Sequence, residues 1–395
     1  MEYTGAGIIT TFKIKYDGAE IEDYHNAHIN IPRDMTIGQL MPQEICECSL
    51  ARRNASTCIR PMIVEKIAKK LGIATEQIRN TEEIMRSLMR KTGCTSEKCV
   101  LTAAKNMSAL SLAEAGIEEQ IAFKQSGPLD ASLFNDSVIQ AQIYAWMYNF
   151  RDFWAYNFNM LNYAEKSLRH GQVMDEPDTL ATIHWTDLYA GRVPMPVGMK
   201  MTPAAQSMIK MKEKGIRRSG CVINSDTYDG NGKHWMALFV DASAPEGPWT
   251  IEFFNSAAVR PESEWLEWMA RTRLELQKCA ASEATPPRKI EVETLCICKI
   301  WHQHSKSECG PYSLFYIWAR LNGIPAKYFM ENVVPDQIMF EFRQHLFNSE
   351  KIDPRGGSSD LPKIGETFDF SRFAQGVKIR WDTEDIAGNK KRTNI

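Results

Sequence analysis

The segment "SECGPYSLFYIWARLNG" constrains this chain more than any other. A polar approach ends at Cys309-Gly310-Pro311, and an apolar run follows at once. Pro311 suits the first turn of a helix, because its missing N–H would have no intrahelical partner there. The pattern predicts a helix that begins at Cys309 and runs through the apolar stretch. That leaves a cysteine at the positive end of a helix, where the dipole and unpaired N–H groups favour thiolate over thiol. Cys309 can be read as a small buried hydrophobe, a metal ligand or a nucleophile, and the rest of the sequence has to discriminate.

Ten cysteines give chance pairings ample opportunity. The pairs Cys46/Cys48, Cys94/Cys99 and Cys296/Cys298 have no second pair or histidine at the spacing of a zinc module, so no metal is expected. Cys296 and Cys298 lie in "VETLCICKI", which alternates like a strand. The N-terminus lacks a basic start followed by an apolar core, and no apolar run nears the roughly 18 residues of a membrane span. The expectation is a soluble protein in a reducing compartment with mostly free thiols. A formal charge of −2 argues against non-specific nucleic-acid binding as the main role, and "KKR" at 390–392 reads as a solvated basic tail.

The 395 residues allow two or three domains. Residues 1–45 are poorly periodic and form an N-terminal extension. Residues 46–125 read as a helical arm. In "RPMIVEKIAKKLG", Pro61 opens a helix, Gly72 follows its end, and Ile63, Val64, Ile67 and Leu71 make one stripe. "NTEEIMRSLMRKTG" carries Asn80 and Glu83 at capping-box positions and stops at Gly93. "KQSGPLDAS" at 124–132 reads as a joint. A core follows over 126–347: an aromatic stretch from 133 to about 170, a strand-rich block over 219–303, the helix at Cys309, and an amphipathic segment ending near Phe347. Residues 348–395 are punctuated by Gly, Ser and Pro, the composition of a flexible tail. The fold class is α+β.

Three segments converge on one chemistry. "GKHWMALFVD" reads as a strand with His234 at its start, "SAPEGP" as a turn, and "WTIEFFNSA" as the returning strand. Folded as a hairpin, they bring His234 to the same end of the ladder as Asn255. "VETLCICKIWHQ" is a further strand ending at Gln303, six residues before Cys309. A thiolate needs an imidazole to hold its proton, a third group to fix the ring tautomer, and preset donors for a developing oxyanion. His234, Asn255, and the Gln303 amide with the Cys309 N–H could fill these roles. Singly, each residue type is most often structural; the joint order and placement favour catalysis. His302 and His304 compete in sequence, but a stretched segment so near Cys309 would have to fold back sharply to present them.

At these residues the chain resembles the ubiquitin-like-protein-specific cysteine proteases and the adenovirus protease: His-Trp, then Asn or Asp, then Gln-x5-Cys-Gly. The likeness is strongest to the polyprotein-processing cysteine proteases of African swine fever virus, through "SGCVINSDTYDGNGKHWMALFVD", "IEFFNSA" and "SECGPYSLFYIWARL", with "GCTSEKCVL" in the arm. The resemblance implies a papain-like core with a central mixed β-sheet flanked by helices, behind an N-terminal helical arm. It implies Cys309 as nucleophile, His234 as base, Asn255 as orienting group, Gln303 as oxyanion donor and Trp235 as an indole roofing the substrate channel. A slot beneath an indole admits only residues without side chains, so cleavage after Gly-Gly is implied too. The deSUMOylating branch mostly carries Asp where Asn255 stands, and a neutral partner raises the imidazole pKa less than a carboxylate does.

The resemblance further implies a viral endopeptidase that trims structural polyproteins during virion maturation, in the host cytoplasm at viral factories and in the virion. It needs no cofactor. Competing readings are a protease for host ubiquitin-like tails, an acetyltransferase on the same Cys-His site, for which no acyl-CoA motif is visible, and a non-enzymatic virion component. The arm is either a packing extension or a surface that recruits substrate or the particle core shell. "RGGSS", with Gly356-Gly357 before Ser358, reads as linker or as a self-cleavage site.

Overall fold

The computed structural model describes residues 47–350 except 53–54, 76–79, 165–167, 170–171, 174–178, 193–211, 213–214 and 284–289, together with three short strands in the first sixteen residues. The tail with Gly356-Gly357 and the basic "KKR" lies outside the described residues, as does most of the N-terminal extension.

The arm consists of four helices, α1 (Pro61–Lys70), α2 (Thr81–Thr92), α3 (Glu97–Asn106) and α4 (Leu112–Ala122). Local signals set their ends. Pro61 sits in the first turn of α1, and Gly93 caps α2 in the left-handed conformation at φ 69°. Asn80 accepts from the Glu83 N–H, one half of the predicted capping box; the reciprocal box forms instead at Ser111 and Glu114 of α4. Ile63, Val64 and Ile67 are buried among Ile84, Leu88, Val100 and Ala104, a core separate from that of the rest of the chain. Buried Glu118 accepts from both the Arg60 backbone N–H and its guanidinium, so α1 and α4 are joined by a charge-assisted pair.

The arm corrects the free-thiol expectation. Cys48 is bonded to Cys58, and Cys94 to Cys99. The Cα separations, 5.0 and 5.6 Å, lie within the span of a disulfide, which the sequence spacing alone does not reveal. Cys221, Cys279, Cys296, Cys298 and Cys309 are buried.

The core is built on a six-stranded mixed sheet. Its strands are β1 (Lys15–Tyr16), β2 (Phe153–Ala155), β3 (Arg218–Asn224), β4 (Trp235–Asp241), β5 (Trp249–Phe254) and β6 (Val292–Ile297), in the order β1-β6-β5-β4-β3-β2. β3, β4 and β5 are antiparallel neighbours, whereas β6 runs parallel to β5. Parallel pairing demands a crossover. It is supplied by α6 (Ser263–Glu283), which packs on β5 and β6. This helix lies within the strand-rich block 219–303 and was not singled out in the sequence: Trp265, Leu266, Trp268, Met269, Leu276 and Ala280 recur at helical spacing and are all buried. The aromatic stretch is core as expected, with Trp146 of α5 (Asp136–Asn149), Phe153, Trp154 and Tyr156 buried.

α7 (Cys309–Leu321) is buried along its whole length and lies against β3 and β4. A helix apolar all round belongs inside a fold. Its one charged side chain, Arg320, bonds both oxygens of Glu252 in the middle of β5. Beyond it come α8 (Ala326–Glu331) and α9 (Asp336–Leu346). The predicted joint is not slack. Gln125–Gly127 forms a strand parallel to Phe347–Glu350, and the Lys124 ammonium donates to the Gln344 carbonyl.

Candidate active site

The C-terminal ends of β5 and β6, the start of β4 and the N-terminus of α7 meet at one edge of the sheet. The β4–β5 ladder is in register from Thr250↔Asp241 to Phe254↔Ala237 and then stops. Past it, the Asn255 N–H turns to the Ile297 carbonyl, 3.0 Å away, so Asn255 leaves β4 while still tied to β6. Its side chain reaches back: His234 Nε2 lies 2.8 Å from Asn255 Oδ1. The same Oδ1 accepts from the Ala257 N–H at 2.9 Å. An amide oxygen held as acceptor by a backbone N–H requires a donor at His234 Nε2, and the tautomer follows: Nε2 carries the proton and Nδ1 the lone pair.

The loop before His234 is braced by two side chains. Asn224 Oδ1 accepts from the Asp226 and Lys233 N–H groups, and Asp226 accepts from the Gly232 N–H and pairs with the Lys233 ammonium at 3.0 Å. Gly230 passes so close to Asp226 that a Cβ there would lie 2.3 Å from a carboxylate oxygen. The polar run "NSDTYDGNGK" is thus a scaffold that delivers the imidazole to the strand end.

Cys309 is the first residue of α7 and is buried. The backbone N–H groups of Trp235, Gly310 and Cys309 itself lie around its sulfur, which seats the thiol against the residue that follows His234. Burial nonetheless pushes the thiol up, and the neighbouring Glu308 adds to the rise. Burial likewise pushes the His234 imidazole below its ordinary value, with the Asn255 bond pulling the other way. Burial therefore acts against the charged form of both groups. The helix-end donors expected from the sequence are present at the sulfur and oppose the effect of burial.

Gln303 is clamped. Its Oε1 accepts from the Ser256 hydroxyl at 2.8 Å, its Nε2 donates to the Ser305 carbonyl at 2.9 Å, and its backbone N–H donates to the Ser256 carbonyl. The bond to Ser305 uses one Nε2 hydrogen and leaves the second free to donate. The Trp235 indole N–H donates to the Phe134 carbonyl at 3.1 Å, and the ring meets Phe158 edge-on.

The competing histidines separate cleanly. His302 is buried, accepts from the Val334 N–H through Nδ1, and packs on Phe254 and Phe329. Burial pushes its pKa down to about 3, so it is a neutral core residue. His304 lies tilted against the exposed Trp301, with ring centres 4.8 Å apart.

Residue-by-residue reading missed two contributors, Glu308 and Phe134. Both oxygens of Glu308 are bonded by Arg343, at 2.7 and 2.8 Å, and neither side chain touches solvent. A Cβ at Gly310 would lie 2.9 Å from the Phe134 Cβ, so the glycine after the nucleophile is required by this close approach. "ECG" was the only sequence signal for either, and it named no partner.

Residues 223–355 match the Ulp1 protease family, C-terminal catalytic domain. The chain is similar to the SUMO-1 cysteine protease S273R of African swine fever virus (isolate Pig/Kenya/KEN-50/1950), at 29% identity over 303 residues, covering 72% of this chain and 98% of the relative. It matches the cysteine protease S273R of isolate Tick/Malawi/Lil 20-1/1983 to the same extent. The crystal structure of the African swine fever virus pS273R protease superposes with a TM-score of 0.54 at 26% identity, over 80% of this chain and 100% of that one.

Proposed function

We propose that this cysteine protease, whose residues 223–355 match the Ulp1 protease family, C-terminal catalytic domain, is a viral endopeptidase that cleaves structural polyproteins after Gly-Gly during virion maturation, in viral factories and the virion. The observation that carries the reading is the His234 Nε2–Asn255 Oδ1 bond beside a cysteine whose sulfur sits among the N–H groups at the start of a buried helix.

In the proposed mechanism, His234 Nδ1 takes the Cys309 proton as the sulfur attacks the scissile carbonyl carbon. The negative charge that develops on the carbonyl oxygen accepts from the free Gln303 Nε2 hydrogen and the Cys309 N–H. The imidazolium, steadied by Asn255 Oδ1, returns the proton to the leaving amine. A thioester remains, and water activated by the same nitrogen hydrolyses it and regenerates the thiol. Trp235 roofs the acyl channel and excludes side chains at the two positions before the cut.

The test is reaction with a peptide vinyl sulfone ending in Gly-Gly, followed by mapping of the adduct. The reading expects the adduct on Cys309, and loss of both labelling and cleavage in Cys309→Ser with folding retained. An adduct elsewhere, or cleavage surviving in Cys309→Ser, overturns it. The name of the African swine fever virus relative, a SUMO-1 cysteine protease, favours a second reading, action on host ubiquitin-like tails. Parallel assays on a Gly-Gly polyprotein junction and a SUMO precursor separate the two. The arm is assigned a recruiting role toward substrate or core-shell surfaces, and that role fails if a chain lacking residues 1–125 folds and processes polyprotein at the full rate.

A further inference from the structure

Arg343 of α9 lies far along the chain from every proposed catalytic group, yet it is wholly buried beside them. Its guanidinium makes four hydrogen bonds. Two go to the Glu308 carboxylate, at 2.8 and 2.7 Å. Nη1 donates to the Pro128 carbonyl at 3.1 Å, and Nη2 to the Ser132 carbonyl at 2.9 Å. Its flat face lies 4.4 Å from the centre of the Phe134 ring.

The two ends of this cluster have separate tasks. Glu308 immediately precedes the nucleophile and is the N-cap of its helix, but its side chain caps no N–H; the carboxylate is given over to Arg343. The 128–134 segment ends at Phe134, whose carbonyl holds the Trp235 indole N–H and whose Cβ presses on Gly310. A single planar cation therefore reaches, through the Glu308 carboxylate, the residue before the nucleophile on one side and, through the Pro128 and Ser132 carbonyls, the segment whose Phe134 carbonyl accepts from the channel roof's indole on the other. A fork of fixed geometry can register two elements in this way, whereas a flexible ammonium cannot.

We propose that Arg343 is a positioning residue for the protease reaction, setting the Cys309 end of α7 through Glu308 and the Trp235 roof through the 128–134 segment, so that the slot between sulfur and indole has the width of a Gly-Gly backbone. The inference rests on the protease reading above. Because 128–132 leads directly out of the arm and α9 is bonded to Lys124 and to the strand at Gln125–Gly127, the same cation ties the arm's exit to the slot.

The experiment uses the full chain and two reagents that reach one sulfur by different routes. Iodoacetamide is small enough to reach the thiol without threading a peptide through the slot, whereas the Gly-Gly vinyl sulfone needs the slot. Arg343→Lys keeps the charge and removes the fork. The pair Glu308→Met with Arg343→Met replaces a buried ion pair by apolar side chains of similar length, a change that folds tolerate well. For folded variants the expected result is a fall of at least tenfold in the vinyl-sulfone rate and in kcat/KM, carried mainly by KM, with the iodoacetamide rate within about threefold of wild type. A merely structural role would move both reagents together.

Wild-type rates with both reagents, equal losses with both, or failure of both variants to fold would each overturn the proposal. In the last case the pair would be a folding determinant. Failure of the protease reading itself is read separately, as an unlabelled Cys309 in the wild-type chain.

Discussion

Arg320 donates to both carboxylate oxygens of Glu252 at 2.8 Å, which pins the nucleophile's helix to the middle of the central sheet. Tyr316 Oη adds a third bond at 2.7 Å, and the Thr250 hydroxyl a fourth. With Glu252 wholly buried, removing one partner strands a charge in the core. Glu252→Ala is expected to lower unfolding free energy by about 3–5 kcal/mol, measured by denaturant titration. A loss under about 1 kcal/mol would mean that the pair behaves like an exposed one.

Burial holds the His234 imidazole below its ordinary pKa, with the Asn255 bond pulling the other way. The acid limb of kcat/KM should therefore fall below pH 6.5, the model-peptide value. Asn255→Asp supplies a carboxylate that stabilises imidazolium, so the limb should move to higher pH. A pH–rate profile for each protein checks this, and an unmoved limb would remove Asn255 from the site.

Gln303→Ala should lower kcat on the order of 10²-fold, the usual loss for one oxyanion donor. Ser256→Ala leaves the donor in place but frees one end of the amide clamp. Its loss should be clearly smaller. A wild-type rate for Gln303→Ala would reassign the oxyanion to other donors.

His302 gives the fold an acid-sensitive core. Its folded pKa, about 3, lies below the unfolded value, so unfolding takes up a proton. The stability it contributes is complete above about pH 6.5 and is lost as pH falls toward 3. His302→Phe should cost about 1–3 kcal/mol at pH 7.5 by orphaning the Val334 N–H. It should also flatten the decline between pH 6.5 and 4. Equal slopes for variant and wild type, compared by denaturation midpoints, would contradict this.

Gly356-Gly357 in the tail carries the two-glycine pattern of the proposed specificity. Incubated enzyme should release the segment after Gly357, read as a mass decrease that Cys309→Ser lacks. An intact mass while an added Gly-Gly substrate is being cut would dismiss self-cleavage.

Much of this architecture is local. Pro61, Gly93 and the Cys-Gly-Pro opening mark helix ends because proline and glycine act on their own backbone. Pairing of His234 with Asn255 was legible because a hairpin converts sequence symmetry into spatial proximity. Even so, the β4–β5 register continued past Phe254↔Ala237 would bring position 257 opposite 234, and the His234–Asn255 bond spans that offset. The helix Ser263–Glu283 was also written in its apolar spacing and was overridden by the strands around it.

The sequence by itself determined which residue types were at hand and the strand and helix ends that carry them, since those depend on spacing over a few residues. Only the tertiary structure decided the Glu308–Arg343 fork, the Phe134 contact with Gly310, the arm's disulfides and the burial that works against charge on Cys309 and His234. The first three join positions through packing rather than through periodicity, and the last depends on desolvation. Desolvation is a property of everything that surrounds a group, and no short stretch of chain encodes it.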